Sequence, residues 1–178
     1  MKKLIILVLI LIVGFAVYSV MKDDSMTSAT DTTPEGGEFK PNPENATFTI
    51  DGETITLTGG QNETTDGNFT EETTLLEERA HGDLNADGEE DTAVLLVRSG
   101  GGSGVFVYTA SYVSGPVGYK GGDAVFIGDR ISPQSISISN GVVSVTYLDR
   151  ASDEPFAAEP TISTTKQFVL RNGEFQER

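Results

Sequence analysis

The sequence predicts an all-β (β-rich) fold: a single antiparallel β-domain over residues 44–178, arranged as a small sandwich or a rolled sheet. Three observations lead to this fold class. Short runs of alternating apolar and polar residues recur along the chain, as in strands with one buried face. Three of these runs turn on Asp-Gly or Asn-Gly pairs, which favour two-residue hairpins. No segment after residue 21 keeps a helical period over a dozen residues.

The three hairpins follow from their turn chemistry. They are TFTIDGETITL (47–57), which turns at Asp51-Gly52, SISISNGVVSVTYL (135–148), which turns at Asn140-Gly141, and KQFVLRNGEFQE (166–177), which turns at Asn172-Gly173. Both central residues of such a turn need positive φ, which Gly, Asn and Asp tolerate best.

The strands between the hairpins follow from their apolar patterns. TAVLLVR (92–98) is nearly continuous in apolar residues, which predicts a central strand covered on both faces. VFVYTASYV (105–113) alternates and AVFIG (124–128) is short, and both predict strands. Residues 73–80 suit a strand or a short helix, and we favour a strand. The glycine-rich GGGSG (100–104) lacks the lysine and following helix of a phosphate loop, so it predicts a flexible turn.

The N-terminus predicts a membrane anchor. Two lysines precede an unbroken apolar run over residues 4–20, which as a helix would be about 25 Å long. We therefore expect a signal-anchor helix over residues 1–21, with the C-terminal domain outside the cytoplasm. A cleaved signal peptide, and hence a secreted domain, is the alternative. Residues 22–43 are acidic and rich in Thr, Ser, Pro and Gly, which predicts a disordered linker.

Charge and cysteine content exclude several classes of partner and of site. The chain has 27 acidic and 12 basic residues and a formal net charge of −15. Such a surface repels phosphate backbones and attracts divalent cations, so we expect no nucleic-acid partner. The absence of cysteine excludes disulfides, thiolate metal sites and a lipid anchor on cysteine.

The stretch HGDLNADGEEDTAVLL (81–96) predicts a cation-binding loop. Counted from Asp83 as position 1, the loop has oxygen-bearing side chains at positions 1, 3, 5 and 9. Glycine stands at position 6, where a sharp turn needs positive φ. Calcium takes six to eight oxygen ligands, which alternate side chains of one loop can supply. The predicted ligands are the side chains of Asp83, Asn85, Asp87 and Asp91 and the backbone carbonyl of Glu89. An acidic turn without an ion is the alternative. We expect the calcium ion to be structural.

The loop is not an EF-hand, because position 12 is Val94 where that motif has a bidentate glutamate. GDLNADGEEDTAVLL instead resembles the calcium loops of the FG-GAP and VCBS type, although a single copy makes a propeller improbable. The longer stretches GDLNADGEEDTAVLLVRSGGGSGVFVY and GDRISPQSISISNGVVSVTYLDR resemble a family of small exported bacterial domains of unknown function. That resemblance implies one aspartate-rich loop per domain and no particular activity.

Other polar residues carry weaker signals. His81 is the only histidine, with no nucleophile marked out beside it, and we expect a residue at a strand end. The pairs Asp129-Arg130 and Asp149-Arg150 could form a carboxylate–guanidinium cluster that ties two loops together.

The leading functional hypothesis is a non-enzymatic binding or structural module of the cell envelope. It would be held at the membrane by its N-terminal helix, stabilised by calcium, and would contact an unidentified envelope protein or polymer. The alternative is a hydrolase of envelope polymers that uses paired carboxylates.

Overall fold

The computed structural model describes residues 40–178, in which a short 3-10 turn, Pro43–Asn45, precedes twelve strands. These are β1 (Thr47–Ile50), β2 (Glu53–Thr56), β3 (Gln61–Asp66), β4 (Phe69–Gly82), β5 (Asp91–Gly100), β6 (Val105–Val113), β7 (Lys120–Gly121), β8 (Val125–Asp129), β9 (Ser132–Ser139), β10 (Val142–Asp149), β11 (Ile162–Arg171) and β12 (Glu174–Glu177). The described residues contain no α-helix, so the predicted all-β class is confirmed.

The strands form two sheets and a separate hairpin. One sheet has the order β3-β4-β5-β6-β7, with β8 also paired to β6. The second has the order β12-β11-β10-β9, and β1 pairs with β2. Every strand pairing in this part of the chain is antiparallel. Adjacent strands are thus mostly neighbours in sequence, as short turns require.

The central strand β5 divides the core into two parts. Ala93 and Leu95 point to one face, where they pack against side chains of the four-stranded sheet such as Val145 and Phe168. Val94 and Leu96 point to the other face, where the β1–β2 hairpin covers them. All four of these β5 residues are fully buried. The prediction of a strand covered on both faces is therefore confirmed, and the stacked sheets make a small sandwich.

The three predicted hairpin turns are confirmed with the expected backbone. Both residues of each turn have positive φ: Asp51 52° and Gly52 83°, Asn140 51° and Gly141 71°, Asn172 54° and Gly173 86°. Two such residues in succession twist the chain in the sense that neighbouring strands require.

The remaining element predictions also hold. Residues 105–113 and 124–128 correspond to β6 and β8, and the ambiguous residues 73–80 lie within β4. The glycine-rich stretch connects β5 to β6 as a turn.

The domain begins earlier than the predicted boundary at residue 44. Pro41 and Pro43, assigned to the linker from composition, are both buried, and the carbonyl of Pro41 accepts a hydrogen bond from Thr92 Oγ1 at 3.3 Å. Prolines in a polar stretch indicate a linker, yet their rings pack well once a partner surface is present. The predicted anchor over residues 1–21, and the linker up to residue 39, lie outside the described residues. Within residues 40–178 no helix has the length and hydrophobicity to cross a membrane.

Candidate functional site

The predicted cation loop connects two neighbouring strands. Gly82, the last residue of β4, pairs with Asp91, the first residue of β5, and the chain between them forms the loop. Positions 1 to 8 of the motif are therefore outside the sheet, and position 9 is inside it. This placement accounts for the different burial of the acids: Asp83 and Asp87 are exposed, whereas Asp91 is fully buried.

Asp91 holds the loop to its neighbours through both carboxylate oxygens. Oδ2 accepts a hydrogen bond from the backbone N–H of Leu84 at 2.8 Å, and Oδ1 accepts one from the N–H of Ser114 at 2.8 Å. The first closes the loop across its own base, and the second joins it to the segment that follows β6. A single buried carboxylate thus fixes the loop, the start of β5 and the end of β6.

The carboxylate of Asp83 organises the first half of the loop. It accepts hydrogen bonds from the N–H of Ala86 at 2.6 Å and the N–H of Gly88 at 3.1 Å. Ala86 has φ 62° and Gly88 has φ 87°, so the chain turns sharply at both residues. The positive φ predicted for the glycine at position 6 is confirmed, whereas alanine at position 4 gave no sequence signal for the same conformation.

Asn85 and Asp87 lie against each other in the second half of the loop. Asn85 Nδ2 donates to Asp87 Oδ2 at 2.8 Å, and the N–H of Asp87 donates to Asn85 Oδ1 at 3.0 Å. The N–H of Glu89 then donates to Asp87 Oδ1 at 2.8 Å. Asn85 and Asp87 thus hold each other and the N–H of Glu89, whose own side chain is exposed.

Ser114 is a site residue that sequence reasoning missed. Its hydroxyl donates a short hydrogen bond to Asp87 Oδ2, while its N–H binds Asp91. The hydroxyl is the leading cause of a pKa for Asp87 below the ordinary aspartate value, followed by the hydrogen bonds from Glu89 and Asn85. Ser114 therefore connects two acids of the motif from a position 23 residues beyond the second. No local pattern marks it.

Tyr119 is a second unpredicted neighbour of the loop. Its hydroxyl donates to the carbonyl of Glu90 at 3.0 Å, and its ring stacks on Tyr112 with centroids 5.3 Å apart. Desolvation, followed by the charges of Glu89, Asp91 and other loop acids, raises its pKa.

His81 lies at the end of β4, as expected. Its Nδ1 is 3.1 Å from Thr92 Oγ1 and 3.5 Å from Glu90 Oε1, and burial lowers its pKa in spite of that glutamate. His81 is therefore a half-buried strand-end residue with partners on β5 and the loop.

The two Asp-Arg pairs tie loops together, but through backbone carbonyls. Arg150 Nη1 donates to the carbonyl of Arg130 at 2.8 Å, and Arg130 Nε donates to the carbonyl of Ser103 at 2.6 Å. Arg130 also pairs with its neighbour Asp129 at 3.6 Å, and Asp129 Oδ1 accepts a hydrogen bond from the N–H of Val105 at 3.0 Å. The two guanidinium groups thus reach backbone carbonyls of other loops and do not form one cluster with both carboxylates.

The donor chemistry of the loop fits a hard cation, although its side chains are committed to hydrogen bonds. Three carboxylates, one amide oxygen and the Glu89 carbonyl are the ligand types that calcium prefers. In residues 40–178 no three histidine, aspartate or glutamate side chains are grouped so that they could hold a metal by themselves. Asp83 and Asp87 instead turn toward backbone N–H groups. Each carboxylate oxygen has two lone pairs, so the single hydrogen bonds at the Asp83 and Asp91 oxygens leave one for a ligand bond. Asp87 Oδ2 already accepts two hydrogen bonds, so Asp87 would bind an ion through Oδ1 or after releasing one of them.

Comparison of the chain with protein-family models, with curated proteins and with solved structures gives no match. The site is thus described by its own geometry alone: an aspartate-rich connection between two central strands, fixed at its base by a buried carboxylate.

Proposed function

We propose that this protein is a membrane-anchored, extracytoplasmic β-domain whose loop 83–91 binds a structural calcium ion. The observation that carries the proposal is the burial of Asp91. Its carboxylate is 0% exposed and accepts two backbone N–H bonds, and within residues 40–178 no lysine or arginine forms an ion pair with it. Buried charges in proteins are usually paired or bound to a metal. A calcium ion would provide the missing positive charge.

The ligands would be the side chains of Asp83, Asn85, Asp87 and Asp91 with the carbonyl of Glu89. Bound there, calcium supplies two positive charges and a strong preference for oxygen ligands. Asp83 and Asp87 are exposed and can rotate toward an ion at little packing cost. The hydrogen bonds that the Asp91 carboxylate accepts from the N–H groups of Leu84 and Ser114 already orient it. Binding would then stabilise the start of β5, and with it the strand on which both halves of the core pack.

The proposed location rests on the sequence. An apolar run follows two lysines at the N-terminus, and the remainder of the chain is strongly acidic, as suits a soluble domain held outside a membrane. Calcium sites of extracellular modules bind in the range of about 0.1–1 mM, so a weak site would be filled there. We therefore propose a binding or structural module of the cell envelope, with an envelope protein or polymer as its partner.

Calorimetric titration of calcium into the full chain, in dodecyl maltoside, tests the calcium site. Asp87→Asn removes one ligand charge, and Glu89→Gln removes a charge of the same loop whose side chain is not a predicted ligand. We expect micromolar-to-millimolar binding by the unmodified chain and by Glu89→Gln, and at least tenfold weaker binding by Asp87→Asn. At a calcium concentration of about 100 Kd, binding should stabilise the fold by about 2.7 kcal/mol.

Two results would contradict the proposal. Absence of binding would leave residues 81–91 as an acidic turn held by hydrogen bonds. Equal weakening by Asp87→Asn and Glu89→Gln would indicate diffuse attraction of calcium to an acidic surface rather than a ligand set.

The hydrolase alternative gains no support from the carboxylates that lie together. Glu53 and Glu71 both accept hydrogen bonds from Nη2 of Arg98. A glycosidase places its two carboxyl groups on either side of the scissile bond, whereas these two glutamates share a single guanidinium nitrogen. We therefore propose a binding role rather than a hydrolytic one.

A further inference from the structure

A cavity lies at the end of the six-stranded sheet opposite the loop. Gly82 pairs with Asp91 at the loop end, and Glu71 pairs with Gly100 at the other. The β5 backbone between Asp91 and Arg98 covers about 23 Å. The cavity has a volume of about 390 Å³, within the range typical of small-ligand sites. Its lining consists of Asp51, Glu53, Glu71, Arg98, Phe106, Tyr108 and Phe126.

Three aromatic rings form one side of the cavity. Phe126 is 5.7 Å from Tyr108 in an edge-to-face arrangement and 6.3 Å from Phe106 at 58°, measured between ring centroids. Phe106 is 39% exposed and Phe126 is 46% exposed, although the residues that follow them, Val107 and Ile127, are buried in the core. All three rings belong to the lining of the cavity.

Acidic side chains form the other side. Asp51 Oδ2 accepts a hydrogen bond from the Tyr108 hydroxyl at 2.7 Å. Glu53 and Glu71 pair with Arg98, and their side chains are 62% and 51% exposed. The lining thus carries three carboxylates and one guanidinium, a formal excess of two negative charges.

Arg98 does not favour an anionic ligand. Its side chain is 10% exposed, and its Nη2 already donates to both glutamates. Burial opposes its charged form, but the hydrogen bonds to Glu71 and Glu53 outweigh burial and raise its pKa. Its charge is therefore used to hold two carboxylates at the cavity wall.

We propose that this cavity binds an organic ammonium group, in contact with the faces of Phe106 and Phe126 and the carboxylates of Asp51 and Glu53. A cation within about 6 Å of a ring centroid is attracted by the negative face of the ring, and the attraction grows where water is displaced. The carboxylates add charge complementarity, and the acidic chain as a whole attracts cations toward the site. Aromatic rings and acids together match an ammonium bearing carbon substituents better than they match a bare metal ion.

The proposal deepens the binding role given above, and rests on it, by naming the ligand class. Two sources share this chemistry: a quaternary ammonium, as in a choline headgroup, and a primary ammonium, as in a lysine side chain. The cavity and the calcium loop lie at opposite ends of β5, so the two proposals can fail separately.

The test is calorimetric titration of three probes into the full chain in dodecyl maltoside, with EDTA and again with calcium. The probes are choline, its neutral isostere 3,3-dimethyl-1-butanol and Nα-acetyl-lysine amide. We expect choline or the lysine amide to bind at least tenfold more tightly than the neutral alcohol, both with and without calcium. The tighter of the two identifies the source.

Two variants locate the binding. Phe126→Ala should weaken the preferred cation about tenfold, and Glu53→Gln, at an exposed position that leaves the core intact, about fivefold. Phe156→Ala is the matched control, because Phe156 is 66% exposed and lies outside the cavity. Equal binding of the cations and the neutral alcohol would overturn the proposal, as would cation binding that neither Phe126→Ala nor Glu53→Gln changes. Loss of calcium binding with cation binding intact would overturn only the calcium site.

Discussion

Replacing the buried carboxylate of Asp91 tests the structural basis of the site without any ion. Asp91→Ala removes the acceptor of two backbone donors, the N–H groups of Leu84 and Ser114, each 2.8 Å away. No water can replace the carboxylate without entering a fully buried position. Both donors lose their partner, and the loop loses its connection to the end of β6.

The expected cost follows from those two hydrogen bonds. A hydrogen bond to a charged acceptor contributes about 1.5–3 kcal/mol, so the pair contributes about 3–6 kcal/mol. A domain of this size has a total stability of about 5–15 kcal/mol. For about 140 residues each kcal/mol shifts Tm by about 3–5 °C, so Asp91→Ala should lower Tm by about 9–30 °C. Asp91→Asn keeps one acceptor oxygen and should cost about half as much.

Thermal unfolding followed by circular dichroism, with EDTA present, measures these values in the full chain. Glu89→Gln serves as the control, because it removes a charge from an exposed side chain of the same loop. It should change the free energy of unfolding by less than about 0.5 kcal/mol. A loss below about 1 kcal/mol for Asp91→Ala would refute the reasoning, since it would mean that the two donors find other partners.

Two further predictions concern the frame around the site. Gly173→Ala should destabilise the fold by about 1–2 kcal/mol in urea unfolding, because Gly173 has φ 86°. Nothing lies within 4 Å of an added Cβ, so the cost comes from the backbone conformation alone. An unchanged urea midpoint would contradict this. Burial, and then the hydrogen bond to Asp51, raises the pKa of Tyr108. The neutral phenol therefore stabilises the fold fully below the unfolded pKa of about 10, and this contribution is lost as pH rises through the folded pKa. Tyr108→Phe should flatten the alkaline loss of stability measured by urea unfolding above that pH, and an alkaline profile identical to that of the unmodified chain would exclude Tyr108 as its source.

The parts of the fold that were predictable are those decided by neighbouring residues. Asn140-Gly141 and Asn172-Gly173 specify their turns because few other residues accept positive φ, and residues 92–98 carry enough apolar side chains to require cover on both faces. The pairing of the two sheets depends instead on how side chains such as Phe168 fill the space between them.

The site was predictable only along the loop itself. Spacing identified the acids and the glycine, but Ser114 reaches Asp87 and Asp91 because β6 happens to end beside the loop. The cavity could not be predicted from the sequence for the same reason, because Arg98 and Glu53 are 45 residues apart in the chain. A polar residue whose partners come from other strands has no periodicity to mark it.

The cover that the β1–β2 hairpin gives to β5 has a consequence for the growing chain. Phe48 and Ile50 are fully buried, yet they pack against residues of β5 and β6 such as Leu96 and Ala110. Ala110 is made about 60 residues after Ile50, which at about 5–20 residues per second is a delay of about 3–12 s. During that interval the first hairpin lacks part of the surface it packs against. The apolar side chains of the β1–β2 hairpin therefore stay at least partly exposed in the nascent chain until β6 has been synthesised.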